Sequence, residues 1–371
     1  MNIHIITLNV PWPADYGGMI DTYNRIKTLH DTGIGIHLHC FEYDRPRAKE
    51  LEMLCKTVSY YKRKTGFISQ LSFRPYTVYS RRSEQLVSDL SKDDYPIFFD
   101  GLHTTSCIND PTLRNRKKII RLHNIEHRYY STLSVYEKNP FKKLFFMIEA
   151  FRLKDYQKII GNAELALSIS ANDQEYFSKK YENVKYLPPF HPFKEIMSIP
   201  GKGNYTIYHG DLSVSENAAI VKYLVNNIFS KVALRLVVAG KDPGRSTRSV
   251  ISGHKNVELI ADPSDDQMKN LIENAQVNIL PAFGANGFKI KILIALYSGR
   301  HCIVNSIMGK DGLLSKLCHV SGSDDDLMRI TGELMNEPFT EKMAGMRKKL
   351  LQSEFDTEQN AARLVDLIFG H

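Results

Sequence analysis

The sequence predicts an α/β protein built from two doubly wound, parallel-sheet domains that face each other across a cleft. Three observations lead to this prediction. Short apolar strand patterns alternate with amphipathic helix patterns along most of the chain. The alternation stops at a proline-rich stretch, residues 186–193, and then starts again. The length of 371 residues also suits two domains.

The two halves show the same order of elements. The first domain is predicted over 1–188 and the second over 189–355, and 356–371 reads as a last amphipathic helix. In the first half we expect strands in IHIITL, IHLHCF, 96–99, 118–123 and 166–170, with a helix from Met19 to His30. In the second half we expect strands in YTIYHG, ALRLVVAG, VELIA, VNILP and HCIVN, with helices over 215–229, 264–274 and 287–298.

Composition excludes several classes of protein. With 43% hydrophobic and 24% charged residues, the chain is not intrinsically disordered. No apolar run reaches the roughly 18 residues of a membrane span, and the N-terminal strand pattern has no basic start, so we expect a cytoplasmic protein. The five cysteines are scattered without a CxxC pair, which argues against a disulfide framework and a zinc site. We expect no bound metal.

A glycine pair follows the first predicted strand. Gly17 and Gly18 end a short loop that opens directly into a helix. Glycine allows a close approach of the backbone to a ligand, and the free N–H groups of a helix start attract phosphate. The pair suits an ordinary strand-to-helix turn equally well, and the spacing is not the GxGxxG of a dinucleotide site.

A second cluster follows the strand at 118–123. His123 and Glu126 come directly after its apolar run, together with Asn124, His127 and Arg128. Ligands of doubly wound sheets bind at the carboxyl ends of the strands, so these polar groups are candidates for acid, base or electrostatic roles.

A third cluster follows the strand VNILP. A loop with Gly284 and Gly287 leads into a predicted helix that carries Lys289 and Lys291 in its first turn. Lysine is unfavourable at the positive end of a helix, and a bound anion such as a diphosphate would explain two of them. Two solvated lysines on an exposed face are the alternative.

Two weaker candidates lie at the same predicted edge of the second sheet. Asp211, Ser213 and Asn217 lie at a helix start, where such residues are usually caps. Gly240 and Lys241 end the next strand, where they could lie beside a phosphate or a ribose.

The ordered set PWPADYGG, RLHNIEH, HGDLSVSENAAI, VVAGK and GFKIKILIALYSGRHCIVN resembles glycosyltransferase family 4, retaining enzymes of GT-B fold. It is most similar to a bacterial subgroup that builds surface polysaccharides and glycoconjugates. The resemblance covers nearly the whole chain and rests on the order and spacing of the motifs. It implies a nucleotide-sugar donor, no cofactor, and a last helix, 356–371, that crosses back to the first domain.

The resemblance also implies roles for individual residues. The Gly17 and Gly18 loop would lie against the donor diphosphate, and His123 would contact the donor sugar near the reacting carbon. The donor phosphates would be held at the start of the helix after VNILP, and the nucleotide would lie near the end of the strand ALRLVVAG. The remaining residues implied in donor binding are Asp211, Asn217, Gly240, Lys241, Gly287, Phe288, Lys289 and Lys291.

The chain departs from the family pattern at three places. Asn286 and Ile294 occupy the positions of two glutamates, the second of which usually binds the donor ribose. Isoleucine cannot accept a hydrogen bond. The basic residue that often follows the first strand of the second domain is also missing from GDLSVSENAAI.

A basic region suggests a second partner. Residues 51–150 hold 17 Lys and Arg against 10 Asp and Glu, whereas the rest of the chain is nearly balanced at 32 against 31. The stretches 59–82 and 138–158 mix these cations with aromatic and aliphatic residues, which suits an anionic membrane surface. A core helix over 141–153 with snorkelling lysines is the alternative. No nucleic-acid-binding module is recognisable.

The sequence therefore predicts a glycosyltransferase that moves a sugar from a nucleoside-diphosphate donor to a carbohydrate acceptor, lipid-linked by expectation, with retention of configuration. His123 would position the donor sugar and Glu126 would lie near the acceptor. Two alternatives remain open. One is a nucleotide-sugar epimerase of the same architecture, and the other is a non-catalytic, glycosyltransferase-like scaffold subunit.

Overall fold

The structure, a computed structural model, describes residues 1–70, 72–284, 287–309 and 313–370. In the first half of the chain, strands alternate with helices and short 3₁₀ turns. The strands are β1 Asn2–Thr7, β2 Gly35–Glu42, β3 Thr57–Lys62, β4 Ile97–Asp100, β5 Lys118–Leu122, β6 Leu165–Ser168 and β7 Val184–Tyr186. The helices are α1 Gly17–Asp31, α2 Lys49–Leu54, α3 Phe67–Gln70, α4 Tyr76–Tyr79, α5 Glu84–Leu90, α6 Glu126–Tyr136, α7 Pro140–Tyr156 and α8 Ala171–Ser178.

The second half repeats this alternation and ends in three helices. The strands are β8 Thr206–His209, β9 Leu236–Gly240, β10 Val257–Ala261, β11 Val277–Ile279, β12 His301–Asn305 and β13 His319–Ser321. The helices are α9 Ser215–Tyr223, which continues as a π-helical turn over Leu224–Phe229, then α10 Arg245–Ser252, α11 Asp265–Asn274, α12 Ile290–Ser298, α13 Leu314–Leu317, α14 Asp324–Leu334, α15 Glu341–Phe355 and α16 Thr357–Phe369.

Both sheets are parallel, and in both the strand order reverses near the middle. The first runs β3-β2-β1-β4-β5-β6-β7 and the second β10-β9-β8-β11-β12-β13. Such a reversal opens a crevice at the carboxyl ends of the central strands. The predicted α/β fold of two doubly wound domains is confirmed. Sequence patterns missed β3, β7 and β13, which are edge strands with partly exposed side chains.

The first sheet is covered on both faces, as a parallel sheet requires. Successive residues of its central strands point to opposite faces. Ile5 and Phe98 belong to one apolar cluster, and Ile6 and Phe99 belong to the other. All four are fully buried, so these strands read in the sequence as nearly continuous apolar runs.

The last helix belongs to the first domain although it follows the second in the chain. Asp356 caps α16 by accepting a hydrogen bond from the Gln359 N–H (2.9 Å). Ala361, Leu364 and Ile368 then enter the same apolar cluster as Ile5. The core of the first domain therefore contains side chains from both ends of the sequence.

Beneath the cleft of the first domain lies a network of buried charges. Asp21 on α1 pairs with Arg25 (2.7 Å) and with Arg121 on β5 (3.1 Å). Arg25 also pairs with Asp100 at the end of β4 (2.6 Å), and Asp100 pairs with His123 Nε2 (2.9 Å). Burial alone would raise the pKa of Asp100, but Arg25 and His123 outweigh it and hold that pKa well below its usual value. The network therefore links α1, β4 and β5 through ion pairs between buried side chains of opposite charge.

The same network holds the linker between the domains. Arg121 donates hydrogen bonds to the carbonyl oxygens of Leu187 (2.6 Å) and Pro188 (3.0 Å). The Phe190 N–H donates to the Asp21 carboxylate (2.7 Å). The proline-rich stretch has few backbone donors of its own, so the charges of the first domain fix its path.

The two domains meet directly at Gly287. A Cβ built on this residue would lie 2.2 Å from Asn124 Oδ1 and 2.5 Å from the His123 carbonyl oxygen, and its φ is +67°. The Gly287 N–H donates to the Asp173 carboxylate of α8 (2.9 Å). Only glycine permits such a close approach of the two backbones. The loop before α12 therefore packs against the end of β5.

We expect Arg121→Met to destabilise the protein by about 3–5 kcal/mol, because it leaves part of the Asp21 charge and two linker carbonyls without partners in the interior. Urea unfolding followed by circular dichroism measures the change. The matched control is Lys158→Met, which breaks the exposed pair of Lys158 with Asp155 (3.0 Å) and is expected to change stability by less than about 0.5 kcal/mol. If the two variants had equal free energies of unfolding, the network would not contribute the stability proposed for it.

We expect Gly287→Ala to separate the domains, because the added methyl group clashes with the backbone at His123 and the positive φ becomes strained. Small-angle scattering should show a larger radius of gyration, and the thermal midpoint should fall. Gly345→Ala in α15 is the control, since a Cβ there meets nothing within 4 Å and alanine favours a helix. An unchanged radius for Gly287→Ala would show that the contact does not set the domain arrangement.

Candidate active site between the two domains

Two helix starts, one from each domain, meet in the cleft. A Cβ built on Gly17, the first residue of α1, would lie 3.8 Å from Cβ of Ile290, the first residue of α12. No described side chain caps either helix start. Each start therefore presents free N–H groups and the positive end of a helix dipole to the same place. This arrangement favours an anion in the cleft.

Lys291 lies in the first turn of α12, beside the point where the starts of α1 and α12 meet. Its Nζ donates to Tyr208 Oη (3.1 Å) and Asn217 Oδ1 (3.3 Å), and it lies 4.6 Å from the centre of the Tyr208 ring. Within the described part of the chain, no carboxylate lies at ion-pair distance from it. Burial, together with the charge of Lys289, lowers the pKa of Lys291 to about 7. A bound anion would restore the charged form.

The helix that carries these lysines begins later than the sequence predicts. α12 starts at Ile290 rather than at 287, because the positive φ of Gly287 cannot be helical. Lys289 is the residue before the helix rather than part of its first turn, and its Nζ lies 3.5 Å from the Glu216 carboxylate.

Asn217 and Asp211 lie on the second-domain side of the same place. The Asn217 amide donates to the Asp211 carbonyl oxygen (2.8 Å), and its own oxygen accepts from Tyr208 (2.9 Å). The Asp211 carboxylate accepts from the N–H and hydroxyl of Ser213, so it stabilises the turn before α9. Asn217 therefore links Lys291 and Tyr208 to the turn after β8, and Asp211 stabilises that turn.

Lys241 connects the two domains through an ion pair. Its Nζ lies 2.7 Å from the Asp15 carboxylate, which belongs to the loop before α1 and also pairs with Arg45. Gly240 permits a close approach of β9 to β8, since a Cβ there would lie 1.8 Å from the Gly210 carbonyl oxygen. Lys241 therefore lies against the loop before α1 of the first domain, and Gly240 lies beside it at the end of β9.

His123 occupies the end of β5, directly over the charge network. Its side chain is 11% exposed, and Asp100 fixes the orientation of the ring through Nε2. The other ring nitrogen lies 3.9 Å from Asp21. His123 and Gly287, predicted from separate motifs, are brought into contact by the fold.

Glu126 is buried in the first turn of α6. Its Oε2 lies 3.6 Å from Nε2 of His103, and neither atom has a hydrogen-bond partner among the described residues. Burial, together with the nearby Asp173, raises the pKa of Glu126 to about 8 against the hydrogen bond with Asn124, which lowers it. Burial also keeps the pKa of His103 well below its usual value. At pH 7 the pair therefore consists of a protonated carboxyl and a neutral imidazole.

The Asp173 carboxyl, which accepts the hydrogen bond from Gly287 of the second domain, has a raised pKa. Burial raises its pKa to about 7, against the hydrogen bond from Gly287, which lowers it. The other carboxylate oxygen is buried without a described partner. The carboxyl groups of Asp173 and Glu126 therefore each keep one buried oxygen with no described hydrogen-bond partner.

Phe288 and Ile294 do not present polar groups to the site. Phe288 packs against Phe355 in the core of the second domain, with ring centres 5.4 Å apart. Ile294 packs with Leu271 and Met268 against the apolar cluster on the other face of the second sheet. Asn286, the other departure noted in the sequence, lies outside the described residues.

Asp21, Asp100 and His123 are the one described group with metal-ligand spacing, since one ligand atom of each lies within 4.8 Å of the others. The guanidinium groups of Arg25 and Arg121 already neutralise both carboxylates. The donor set therefore fits an ion-pair network better than a cation site.

Sequence reasoning missed three residues of the site, His103, Asp173 and Glu216. Each directly follows or lies close to the carboxyl end of a strand, and that position was the available signal. Their roles depend on partners that are more than twenty residues away in the chain, namely Glu126, Gly287 and Lys289 respectively.

Comparison with known proteins agrees with this architecture. Residues 203–335 match the model of the family glycosyl transferases group 1. A protein described as an uncharacterised 44.6 kDa protein in the cps region of Klebsiella pneumoniae is 26% identical over 329 residues, which cover 84% of each chain.

Solved structures with the same fold cover nearly the entire chain. Sucrose-phosphate synthase from Thermosynechococcus elongatus has a TM-score of 0.73 at 14% identity and covers 99% of this chain and 98% of its own. HepE of Anabaena, solved with UDP and glucose, has a TM-score of 0.69 at 13% identity and covers 99% of both chains. These neighbours are GT-B glycosyltransferases. The chain thus has the GT-B fold, and residues 203–335 of its second domain match the model of glycosyl transferases group 1.

Proposed function

We propose that the protein transfers a sugar from a nucleoside-diphosphate-sugar donor to a carbohydrate acceptor, with retention of configuration, in polysaccharide or glycoconjugate synthesis. The observation that carries this proposal is the meeting of two uncapped helix starts, α1 and α12, beside the Lys291 ammonium. The family match, the UDP and glucose bound to HepE, and the cps-region relative support it.

The chemistry follows from where negative charge develops. When the bond between the anomeric carbon and the diphosphate oxygen breaks, charge builds on the departing diphosphate. Lys291, Lys289 and the N–H groups of the two helix starts stabilise that charge. The acceptor hydroxyl oxygen bonds to the anomeric carbon from the same face, and its proton passes to the departing phosphate oxygen. This route requires no bond between sugar and protein.

The first domain positions the reacting groups in this scheme. Asp100 fixes the His123 ring, which orients and polarises the donor sugar. Glu126, protonated at pH 7, donates a hydrogen bond to the acceptor, with His103 beside it. Because Ile294 stands in place of a carboxylate, other groups must bind the donor ribose. Gly240 and Lys241, at the end of β9, are the candidates.

Ile294 also favours a second candidate function. A chain that cannot bind the donor ribose would act as a non-catalytic scaffold for a partner enzyme. This candidate predicts that the isolated protein binds no nucleotide.

We further propose that the protein docks on the anionic inner face of the cell membrane through α7, near a lipid-linked acceptor. No helix in the described ranges has the length and hydrophobicity to cross a bilayer. Phe141 and Phe151 on α7 are 84% and 79% exposed, and the neighbouring Phe73 is fully exposed. Lys142 and Arg152 lie next to these rings in the sequence. The alternative of a core helix over 141–153 accounts for the buried Leu153 but not for the exposed Phe141 and Phe151.

We expect one of UDP, GDP, CDP, dTDP and ADP to raise the thermal midpoint of the protein, since a ligand that binds only the folded state stabilises it. Lys291→Met should weaken binding of that nucleotide by about tenfold or more at pH 6.5. Because the pKa of Lys291 is about 7, its charge is present below pH 7 and lost above it. The difference in affinity between parent and variant should therefore shrink between pH 6.5 and 8.5.

The nucleotide's own phosphate titration acts on both proteins, so the comparison with Lys291→Met removes it. If no nucleotide at millimolar concentration shifts the midpoint of the parent, the transferase proposal fails and the scaffold is favoured. An affinity difference that stays constant with pH would contradict the role given to the Lys291 charge.

We expect the protein to sediment with vesicles that contain about one-third anionic lipid and to stay in solution with neutral vesicles. The double variant Phe141→Ser and Phe151→Ser should reduce the bound fraction severalfold, since it removes apolar area that would enter the interface. Met346→Ser is the matched control, because Met346 is 59% exposed on α15, away from α7. Equal binding of both variants would exclude α7 as the docking surface.

A further inference from the structure

Glu216 is a buried carboxylate at the edge of the proposed phosphate site, and neither the sequence motifs nor the scheme above gives it a role. It lies in the first turn of α9 and is 4% exposed. Its Oε1 accepts hydrogen bonds from the N–H groups of Phe283 and Gly284, both at 3.1 Å. Its Oε2 faces the Lys289 ammonium at 3.5 Å.

The two oxygens therefore have separate tasks. Oε1 holds the backbone of the loop that leads to α12, and Phe283 is further fixed by stacking on Tyr136 of the first domain (ring centres 5.0 Å). Oε2 balances the charge of Lys289. An amide in place of the carboxylate could keep the first task and lose the second.

A negative charge at this position opposes the binding of a diphosphate. Lys291 responds to both neighbours, since Lys289 lowers its pKa and Glu216 raises it. The three side chains thus form one electrostatic group, in which Glu216 is negative, Lys289 is positive and Lys291 is positive below pH 7. The site has a weaker positive potential than its two lysines alone would give.

We infer that Glu216 is a positioning residue that holds Lys289 against α9 in the empty site and releases its ammonium to the donor diphosphate. When the nucleoside diphosphate leaves as product, the Lys289 ammonium returns to Oε2. Glu216 therefore limits how tightly the product is held. This inference rests on the proposed function, because it needs a diphosphate at the start of α12.

The decisive variant is Glu216→Gln, which keeps an oxygen for the loop N–H groups and removes the charge. We expect the dissociation constant for UDP, and for inorganic pyrophosphate as a base-independent probe, to fall about fivefold, the size of a partly screened charge pair. Isothermal titration calorimetry measures it. Glu175→Gln is the matched control, since it removes one negative charge from an exposed pair with Lys179 and should leave both constants unchanged.

Two further variants separate charge from structure. Glu216→Ala removes the loop contacts as well, so it should bind both probes more weakly than Glu216→Gln. In a Lys289→Met background, Glu216→Gln should gain clearly less affinity, because no ammonium is left to release. If Glu216→Gln binds like the parent or more weakly, the inference is overturned. An equal gain in the Lys289→Met background would overturn the release of Lys289 and leave only simple repulsion.

The parent protein distinguishes failure of the inference from failure of the proposed function. If the parent binds neither a nucleoside diphosphate nor pyrophosphate, the proposed function fails and the inference falls with it. If the parent binds and Glu216→Gln shows no gain, the donor site stands and the role of Glu216 is wrong. Thermal midpoints of all variants show whether each is folded.

Discussion

The pairing of Asp21 is the constraint on which the rest of the structure depends. A carboxylate with no exposure to water must be neutralised, and it is met by Arg25 on its own helix and Arg121 on β5. The Phe190 N–H of the linker completes its contacts. Helix, strand and linker therefore have one compatible arrangement. The orientation of His123 follows from it, because Asp100, which holds the ring, is itself held by Arg25.

Burial between the domains and protonation of the buried groups are linked. Burial is the largest cause of the shifted pKa values of Glu126, Asp173 and Lys291, and these residues lie where the domains meet. A buried carboxyl binds a proton more readily than one in water, and a buried ammonium loses its proton more readily. Near neutral pH the carboxyls of Glu126 and Asp173 in the first domain therefore carry less negative charge than exposed carboxyls would.

The sequence was sufficient for the architecture but only partly for the site. Apolar runs separated by helix patterns predict both parallel sheets, whereas the short edge strands β3 and β13 give no such run. The helix after VNILP begins three residues later than its sequence pattern predicts, because the positive φ of Gly287 depends on its contact with the first domain. His103 and Glu216 escaped notice for a related reason. Their partners lie elsewhere in the chain, and only the packed structure brings opposite groups together.

The position of α16 has a consequence for synthesis on the ribosome. The first 190 residues emerge early, yet the apolar cluster beneath β1 lacks Ala361, Leu364 and Ile368 until the last helix has been made. The main apolar cluster of the second domain, from Tyr208 to Phe355, is by contrast complete before α16 is made. The core of the domain that is translated first is therefore the last to be completed.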